Sequence, residues 1–562
     1  MNPLKTVRRF AGGVRRRLRD TLRGETDSTF FDIHDVRRIN DILRPHGVQE
    51  LIELSKATLL TKTDAFRGER VKRIYEYRQD LRELFPLGMT PHPDRAKFLT
   101  WFVSNGRHEF DLTAEEGLWY LFELNELPDR GLVASYRLQP EWQRDQPHAL
   151  TPGGWSHFQA YLAAKYNLQS SRWLSQATLD PQSQQIPRPK ELGVNILGHF
   201  RYSSGLQEAA FGIVRGLQTS NIPSSCRDLP VIFSCDWRDR ERYQGLELFD
   251  TTLYVAAVNT FPEVWYPRCG LHRREGVRRI AVWYWELEQL PDEWLPKLSW
   301  ADEVWAPTRF IADAFRKAVN VPVIPMLPGV EVPKFVAKSR AELNLPTDRT
   351  LFLFSFDMGS VMARKNPLGV IAAFRLAFRS DEAVHLVIKV SRGSADPASF
   401  VKLQAAIDEI PNATLLDCVL TRDDALSLLQ AADCYVSLHR SEGLGLGLAE
   451  SMLMGKPVIA TGYSGNLDFM TPDTAHLIDY KLVPITEDLS PYPKGCLWAD
   501  PSIEQAASAM RAVSERPEQA KALGQRAKQH VETVLSTEAA GQRMAARLRE
   551  IAAMTTNRVM TR

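Results

Sequence analysis

"HRSEGLGLGLAESMLMGKPVIATGYSGN", residues 439–466, reads as the end of a strand, a glycine-rich loop, a helix and a second strand. The apolar run "CYVSLH" before it supplies the first strand, and "VIAT" after Lys456-Pro457 supplies the second. Gly443, Gly445 and Gly447 let the backbone pass close to a ligand. The spacing predicts a helix from about Leu446 to Met454, stopped by Gly455. The free amides at its start face whatever occupies the loop. Glu442 lies in the loop, and Glu450 lies ~6 Å along the helix axis at 1.5 Å per residue. Two carboxylates astride a helix start can each accept hydrogen bonds from a separate polyol. The plainer alternative is a buried face of Leu448, Ala449, Met452 and Leu453, with Glu442 merely favouring the helix dipole. A dinucleotide fingerprint does not fit, because Leu448 stands where its third glycine or alanine belongs.

Outward from this unit, strand and helix signals alternate. "RTLFLFSF" (349–356), "PLGVIAAFRLAF", "AVHLVIKV" (383–390), "ATLLDC" (413–418) and "RDDALSLLQAA" precede it. An earlier series has "LGVNILGHF" (192–200), "LQEAAFGIVRGLQTSN", "RRIAVWYW" (278–285), "ADEVWAP" (301–307), "TRFIADAFRKAV" and "VPVIPM" (321–326). Such alternation argues for α/β architecture with parallel sheets and crossover helices. Ligands of such sheets sit at the strands' carboxyl ends. We expect Rossmann-like units over 190–335 and 336–540, with a turn-rich hinge at 327–346. Residues 541–562 form a C-terminal helix and tail at the end of an alanine-rich helical stretch, 502–553.

Before residue 190 the pattern differs. Residues 25–180 look mainly helical, with Trp101, Trp119, Tyr120, Phe122 and Trp142 as packing anchors and Pro128, Pro140, Pro147 and Pro152 as punctuation. The polar, proline-rich stretch 180–189 reads as a linker. Residues 1–24 carry eight Lys/Arg against Asp20 alone. Leu4, Val7, Ala11, Val14, Leu18 and Leu22 fall on one helical face. A basic amphipathic helix suits an anionic membrane surface, whereas a solvated basic tail is the other reading.

The 562 residues exceed a single core. Net charge is only +2, so nothing global points to nucleic acid. The six cysteines lack CxxC or finger spacing and read as reduced thiols. No apolar run approaches the ~20 residues of a membrane span. The expectation is a cytoplasmic protein, peripheral on the inner face of the plasma membrane if 1–24 binds lipid.

"MARKNPLGVIAAF" (362–374) places Arg364 and Lys365 just before Asn366, a good N-cap, and Pro367 at the first helical position. Two cations at a helix's positive end are locally unfavourable, so an anion would complete the site. A solvated basic turn is the alternative. His199 and His439 each follow a strand and read equally well as satisfied surface histidines. No Asp-x-Asp or His/Cys cluster suggests a metal.

The Glu-x7-Glu spacing in this loop–helix frame resembles the signature of the retaining glycosyltransferases of family 4, group 1 enzymes of bacterial polysaccharide and lipopolysaccharide assembly. The likeness spans roughly residues 190 to 540. It implies a GT-B fold, two doubly wound Rossmann-like domains facing a cleft, here preceded by a mainly helical domain. By this resemblance Glu442 holds hydroxyls of a donor sugar and Glu450 the ribose of its nucleotide. The amides of Gly443, Leu444, Gly445 and Leu446 touch the sugar or diphosphate, and Arg364 and Lys365 the diphosphate. "GHFRYSSGLQEAA" resembles the loop facing donor and acceptor, with Ser203, Ser204 and Gly205 near the phosphates. "VWYWELEQLPDEW" (282–294) resembles the acceptor-side segment. Trp285 and Glu286 fall where many members carry a histidine, although alternating aromatics such as Trp283, Tyr284 and Trp285 also suit a strand in the core.

Two departures stand out. Family members often carry an arginine straight after the strand, where this chain has Asp357 and Ser360. The acceptor-side histidine is missing. The implied activity is transfer of a hexose from a nucleoside diphosphate sugar to a glycan or lipid-linked glycan, with retention, by front-face attack and without metal or other cofactor. A catalytically silent nucleotide-sugar-binding scaffold is the competing reading.

Overall fold

The computed structural model describes residues 192–202, 204–229, 245–269 and 271–560, together with 78–89, 139–166 and scattered positions between 74 and 243. The basic segment 1–24, the linker 180–189, Ser203 and the anchors Trp119, Tyr120 and Phe122 lie outside the described residues. Two compact units emerge. The first takes in the described residues up to Gln207 with 224–252 and 260–277, and the second 208–223, 253–259 and everything from 278 onward.

In the first unit, α1 (Gln79–Leu84), α2 (Pro140–Asp145) and α3 (Pro152–Lys165) are helices, and Pro140 and Pro152 stand at their helices' first positions. Proline is pre-organised for that place and loses no hydrogen bond there. Thr151 caps α3 by accepting from the Gly154 amide at 3.0 Å. Trp142 is fully buried against Phe158, edge to face at 5.6 Å, and its Nε1 donates to the Tyr166 hydroxyl at 3.0 Å. The aromatic anchor expected there is packing.

The first sheet runs β2-β1-β3-β4-β5-β6. Its strands are β1 (Val194–Gly198), β2 (Ser224–Asp228), β3 (Thr251–Ala257), β4 (Arg278–Tyr284), β5 (Glu303–Ala306) and β6 (Val323–Pro325), and the boundary between the units runs through β3. The crossover elements include α4 (Gly205–Thr219), α5 (Pro262–Arg268) and α6 (Arg309–Arg316), the last capped by Thr308. β1 and β5 are buried along their whole length, as strands covered on both faces must be.

The second sheet carries β7 (Thr350–Asp357), β8 (Val384–Ser391), β9 (Ala413–Asp417), β10 (Cys434–Ser437), β11 (Val458–Thr461) and β12 (His476–Ile478). Their spatial order is β12-β11-β10-β7-β8-β9, and every neighbouring pair is parallel. Counted from β7, this is the doubly wound order 3-2-1-4-5-6, whose direction reverses between β7 and β10. Helices α7 (Met362–Lys365), α8 (Pro367–Ala377), α9 (Pro397–Asp408), α10 (Arg422–Ala431) and α11 (Leu446–Leu453) lie between the strands in sequence.

An antiparallel hairpin of β13 (Tyr480–Pro484) and β14 (Leu497–Pro501) follows, which the sequence reading did not anticipate. The expected helical tail is α12 (Ile503–Glu515), α13 (Pro517–Val534) and α14 (Thr537–Met560). In α14, Arg547 reaches the fully buried Glu303 of β5 at 2.8 Å, and Arg278 meets the same carboxylate at 2.9 Å. Two guanidiniums make that buried charge tolerable, and they pin the last helix to a core strand. No helix among the described residues is long and apolar enough to cross a membrane.

Candidate active site

Where strand order reverses, the loops leaving two adjacent strands diverge to opposite faces and open a crevice at the carboxyl ends. In the second sheet those loops follow β7 and β10. The first carries Arg364 and Lys365, and the second carries Glu442. The fold brings them together across 77 positions of chain.

Lys365 Nζ donates to Glu442 Oε1, and Arg364 Nη1 lies 3.4 Å from Oε2 of the same carboxylate. Arg364 also donates to the Ser441 carbonyl at 2.8 Å, which ties the two loops together. Side-chain exposure separates the two cations. Lys365 keeps 17% and Glu442 11%, whereas Arg364 keeps 4%. Lys365 and Glu442 can meet a ligand, while Arg364 works from beneath them. Arg364 thus has a supporting place in the cluster. At the carboxyl end of β7, Asp357 instead pairs with Arg392 of the neighbouring loop at 2.6 Å.

Burial by itself would raise the Glu442 pKa, but Lys365 and Arg364 outweigh it and hold the carboxyl at about 2. Burial works against charge on Arg364 too, yet Tyr492, Glu286 and Glu442 carry its pKa above the ordinary value. For Lys365 burial wins, and its pKa is lowered despite Glu442.

The backbone around this cluster is strained. Val361, just before α7, has φ 62°, a left-handed conformation costly for a β-branched residue. Asn366 has φ 55°, and its Oδ1 accepts from the Gly369 amide at 3.1 Å, so the expected N-cap of α8 is present. Arg364 and Lys365 also close the single turn α7, a detail the sequence did not suggest. Ser464 adopts φ 76° and ψ −149°, a region almost reserved for glycine, and its Oγ accepts from the Glu442 amide at 2.8 Å. A Cβ on Gly465 would lie 2.0 Å from the Gly443 carbonyl, so only glycine fits there.

The glycine loop enters α11 at Gly445, φ 88°, and Gly455, φ 72°, ends it one residue earlier than Met454 would imply. Leu448, Ala449 and Met452 are buried on its inner face. Burying the two larger of these contributes about 1.5–3 kcal/mol each, which fixes the helix firmly. The amides of Gly443, Leu444, Gly445 and Leu446 find no acceptor among the described residues. They remain available, together with Lys365, for an anion.

Glu450 is buried to 5% exposure on the same helix, so the expected pair of carboxylates does bracket the start of α11. Its neighbour was not foreseen. Arg422, the first residue of α10, stands 2.6 Å from Glu450 Oε1 in an ion pair whose angle departs from a linear hydrogen bond. Burial raises the Glu450 pKa and Arg422 opposes that rise.

On the acceptor-side segment, Glu286 points to the cluster. Its Oε2 accepts from the Tyr492 hydroxyl at 2.9 Å, and its Oε1 is 3.9 Å from Arg364 Nη2. Trp285 is buried between Trp294 and Tyr492, with Nε1 donating to the Gln289 carbonyl at 2.9 Å. Trp283 packs on Trp300 and Phe315. Both tryptophans serve the core, the reading that their alternation in a strand also suited. Ser204 and Gly205 belong to the loop after β1 and the start of α4. Ser204 Oγ accepts there from the Gln207 amide at 3.3 Å.

His439 is buried, not superficial. Its ring meets Ser437 Oγ at 3.2 Å and Asn466 Oδ1 at 3.2 Å, and burial lowers its pKa. His199 is likewise buried, 3.0 Å from the Leu229 carbonyl. The described residues include no group of three or more His, Cys, Asp or Glu side chains placed to hold a metal ion.

Residues missed by sequence reasoning are Arg422, Tyr492 and Ser464. Arg422 had a signal, since a cation at a helix start invites the question asked of Lys365. Tyr492 and Ser464 had none.

Residues 335–530 match the family described as Glycosyl transferases group 1. That segment contains every member of the cluster except Glu286. Two parallel six-stranded sheets and this match make the fold GT-B. Alpha-monoglucosyldiacylglycerol synthase of Streptococcus pneumoniae is 27% identical over 177 residues, 30% of this chain and 39% of that protein. The chain thus spans about two-fifths of the curated relative it matches. Sucrose-phosphate synthase from Thermosynechococcus elongatus is 16% identical, with a TM-score of 0.46 over 64% of this chain and 99% of that one. Anabaena Alr3699/HepE, solved with UDP and glucose, is 14% identical, with a TM-score of 0.43 over 64% and 99%.

Proposed function

We propose that this protein is a nucleotide-sugar-dependent glycosyltransferase that moves a hexose to a glycan or lipid-linked glycan acceptor with retention of anomeric configuration. The observation that carries the reading is the junction of Lys365 and Glu442 beside four unengaged amides at the start of α11, with Glu450 further along the same helix. An anion and two sets of hydroxyls are the ligands such a set answers. A nucleoside diphosphate sugar offers all three.

In this reading the leaving diphosphate lies against Lys365 and the amides of residues 443–446, where charge develops as the bond from the anomeric carbon to the phosphate oxygen breaks. Fixed donors aimed at that charge act most strongly in the transition state. The acceptor hydroxyl attacks from the same face and yields its proton to the departing phosphate oxygen. Glu442 is proposed to leave Lys365 and accept from sugar hydroxyls, and Glu450 from the ribose. Glu286 borders the acceptor side, and Ser204 and Gly205 are proposed to contribute from the loop after β1. The family relationship of residues 335–530 and the name of the pneumococcal relative support a glycan or lipid acceptor. We place the enzyme on the cytoplasmic membrane face, drawn there by residues 1–24, and propose that it needs no metal.

Acceptor-free hydrolysis of UDP-, GDP-, TDP- and ADP-glucose tests the reading, alongside thermal shift with each donor. Binding raises apparent stability by mass action. A donor that both stabilises the protein and is slowly hydrolysed supports an enzyme. Stabilisation with no turnover even after acceptor is added would make the protein a scaffold, and no response to any donor would end the reading.

A further inference from the structure

Glu450 is the site's most awkward carboxylate. It is 5% exposed, and its charged surroundings are one cation, Arg422 of α10, and one like charge, Glu208 of α4, with the Tyr435 hydroxyl of β10 nearby. Arg422 is itself in a place no helix asks a cation to occupy. It opens α10 behind the Thr421 cap, where the dipole disfavours positive charge by about 0.3–1 kcal/mol. Asp423 and Asp424 suit that turn, whereas Arg422 does not. Its guanidinium reaches Glu450 Oε1 at 2.6 Å. The carboxylate's other oxygen, Oε2, has no partner among the described residues. Oε1 is held by the ion pair with Arg422, without a hydrogen bond of ordinary angle, and Oε2 is left over.

We propose that Arg422 is a positioning residue for nucleotide binding, which holds Glu450 ionised and anchored by Oε1 so that Oε2 receives the hydroxyls of the nucleotide ribose. This rests on the donor reading given above. The division of labour follows from the chemistry of each group. A carboxylate forced to bury itself protonates, and a protonated acid makes weaker hydrogen bonds to a diol than its anion does. Arg422 removes that loss. Glu208 makes the need greater, because a second carboxylate also favours the protonated form of Glu450. Without Arg422, affinity for the nucleotide becomes dependent on pH in the range where a buried, uncompensated carboxyl titrates.

Calorimetry with UDP and GDP, each against its 2′-deoxy counterpart, at pH 6, 7 and 8 reads this out. The variants are Arg422→Gln, Arg422→Lys, Glu450→Gln and the double variant Arg422→Gln/Glu450→Gln. Titration of the ligand's own phosphate is common to all and cancels in the ratios. Arg422→Gln is expected to lose tenfold or more at pH 6 and much less at pH 8. Its preference for ribose over deoxyribose should fade in parallel. Arg422→Lys should restore the wild-type profile, which a mere folding defect cannot explain. The double variant should match Glu450→Gln alone.

An Arg422→Gln protein with wild-type affinity at every pH overturns the proposal. So does an equal loss at all three pH values that persists in the Glu450→Gln background, which would mean that Arg422 touches the ligand itself. If Glu450→Gln weakens binding while Arg422→Gln does not, only the role of Arg422 falls. If Glu450→Gln changes nothing, or neither nucleotide binds the wild type, the donor reading falls and this proposal with it.

Discussion

Glu442 and Glu450 are the same residue, eight positions apart and almost equally buried, yet the protein pushes their carboxyls in opposite directions. Glu442 sits under Lys365 and Arg364, and its pKa drops to about 2. Glu450 faces Arg422 alone, with Glu208 not far off, and its pKa rises. Burial raises both, so the number of cations decides the sign. Glu442, in the loop after β10, meets two cations that follow β7, whereas Glu450, inside α11, meets the one cation that opens α10.

The largest expected effect falls on the Glu442 side. Lys365→Ala should cut turnover on the order of 10²-fold or more, with a smaller change in nucleoside diphosphate affinity, because its charge answers one that develops on the leaving group. Steady-state kinetics decide the matter: a raised Michaelis constant with unchanged turnover would move Lys365 into ground-state binding. On the Glu450 side the loss should appear in affinity instead. Glu450→Gln is expected to weaken both free nucleoside diphosphate and intact donor by about tenfold or more, the scale of a charge-assisted hydrogen bond. Glu442→Gln should keep the affinity for the free nucleoside diphosphate. Equal calorimetric affinities for the two variants would erase the distinction.

Acid sharpens the comparison without any ligand. The depressed pKa of Glu442 contributes stability that is fully present above its ordinary value of 4.5 and is lost as pH falls toward 2. Lys365→Met should therefore flatten the fall of the melting midpoint between pH 4.5 and 2. Parallel curves for variant and wild type would show that Lys365 is not the cause. The smallest effect concerns the backbone that carries Lys365. Val361→Gly removes strain worth roughly 1–3 kcal/mol and adds glycine's entropy cost, so stability should move by less than about 1 kcal/mol. Turnover should fall a few-fold while nucleotide affinity holds. Unchanged turnover would mean that the strained turn does not aim Lys365.

Much of this was legible in the chain. Strands β1 and β4 to β11 follow apolar runs visible in the residues, because a strand covered on both faces must be apolar along its length, whereas β2, whose residues are Ser-Ser-Cys-Arg-Asp, and β3 were not foreseen. Asn366-Pro367, Gly445 and Gly455 announced their turns for stereochemical reasons that hold in any fold. The hairpin β13–β14 was missed, since β13 is largely exposed and the buried residues of β14 do not alternate with exposed ones. With it went Tyr492, whose ring lies 5.6 Å from the Arg364 guanidinium and whose hydroxyl meets Glu286, 206 residues away. For Trp285 both an acceptor-side place and a core place stayed open, because an aromatic's neighbours cannot be read from its spacing.

Residue order alone sets most of the local units, the strands with apolar runs and the starts of capped helices, and shows that Glu442, Glu450, Arg364 and Lys365 carry more charge at helix starts than packing requires. Which charge meets which is settled by the fold. The reversal of strand order sets β7 beside β10 and so sets Lys365 on Glu442. The start of α10 brings Arg422 to Glu450. Pairing is fixed by the order of strands in space, and in a crossover sheet that order is set by how whole layers pack, not by any property of the residues that end up in contact.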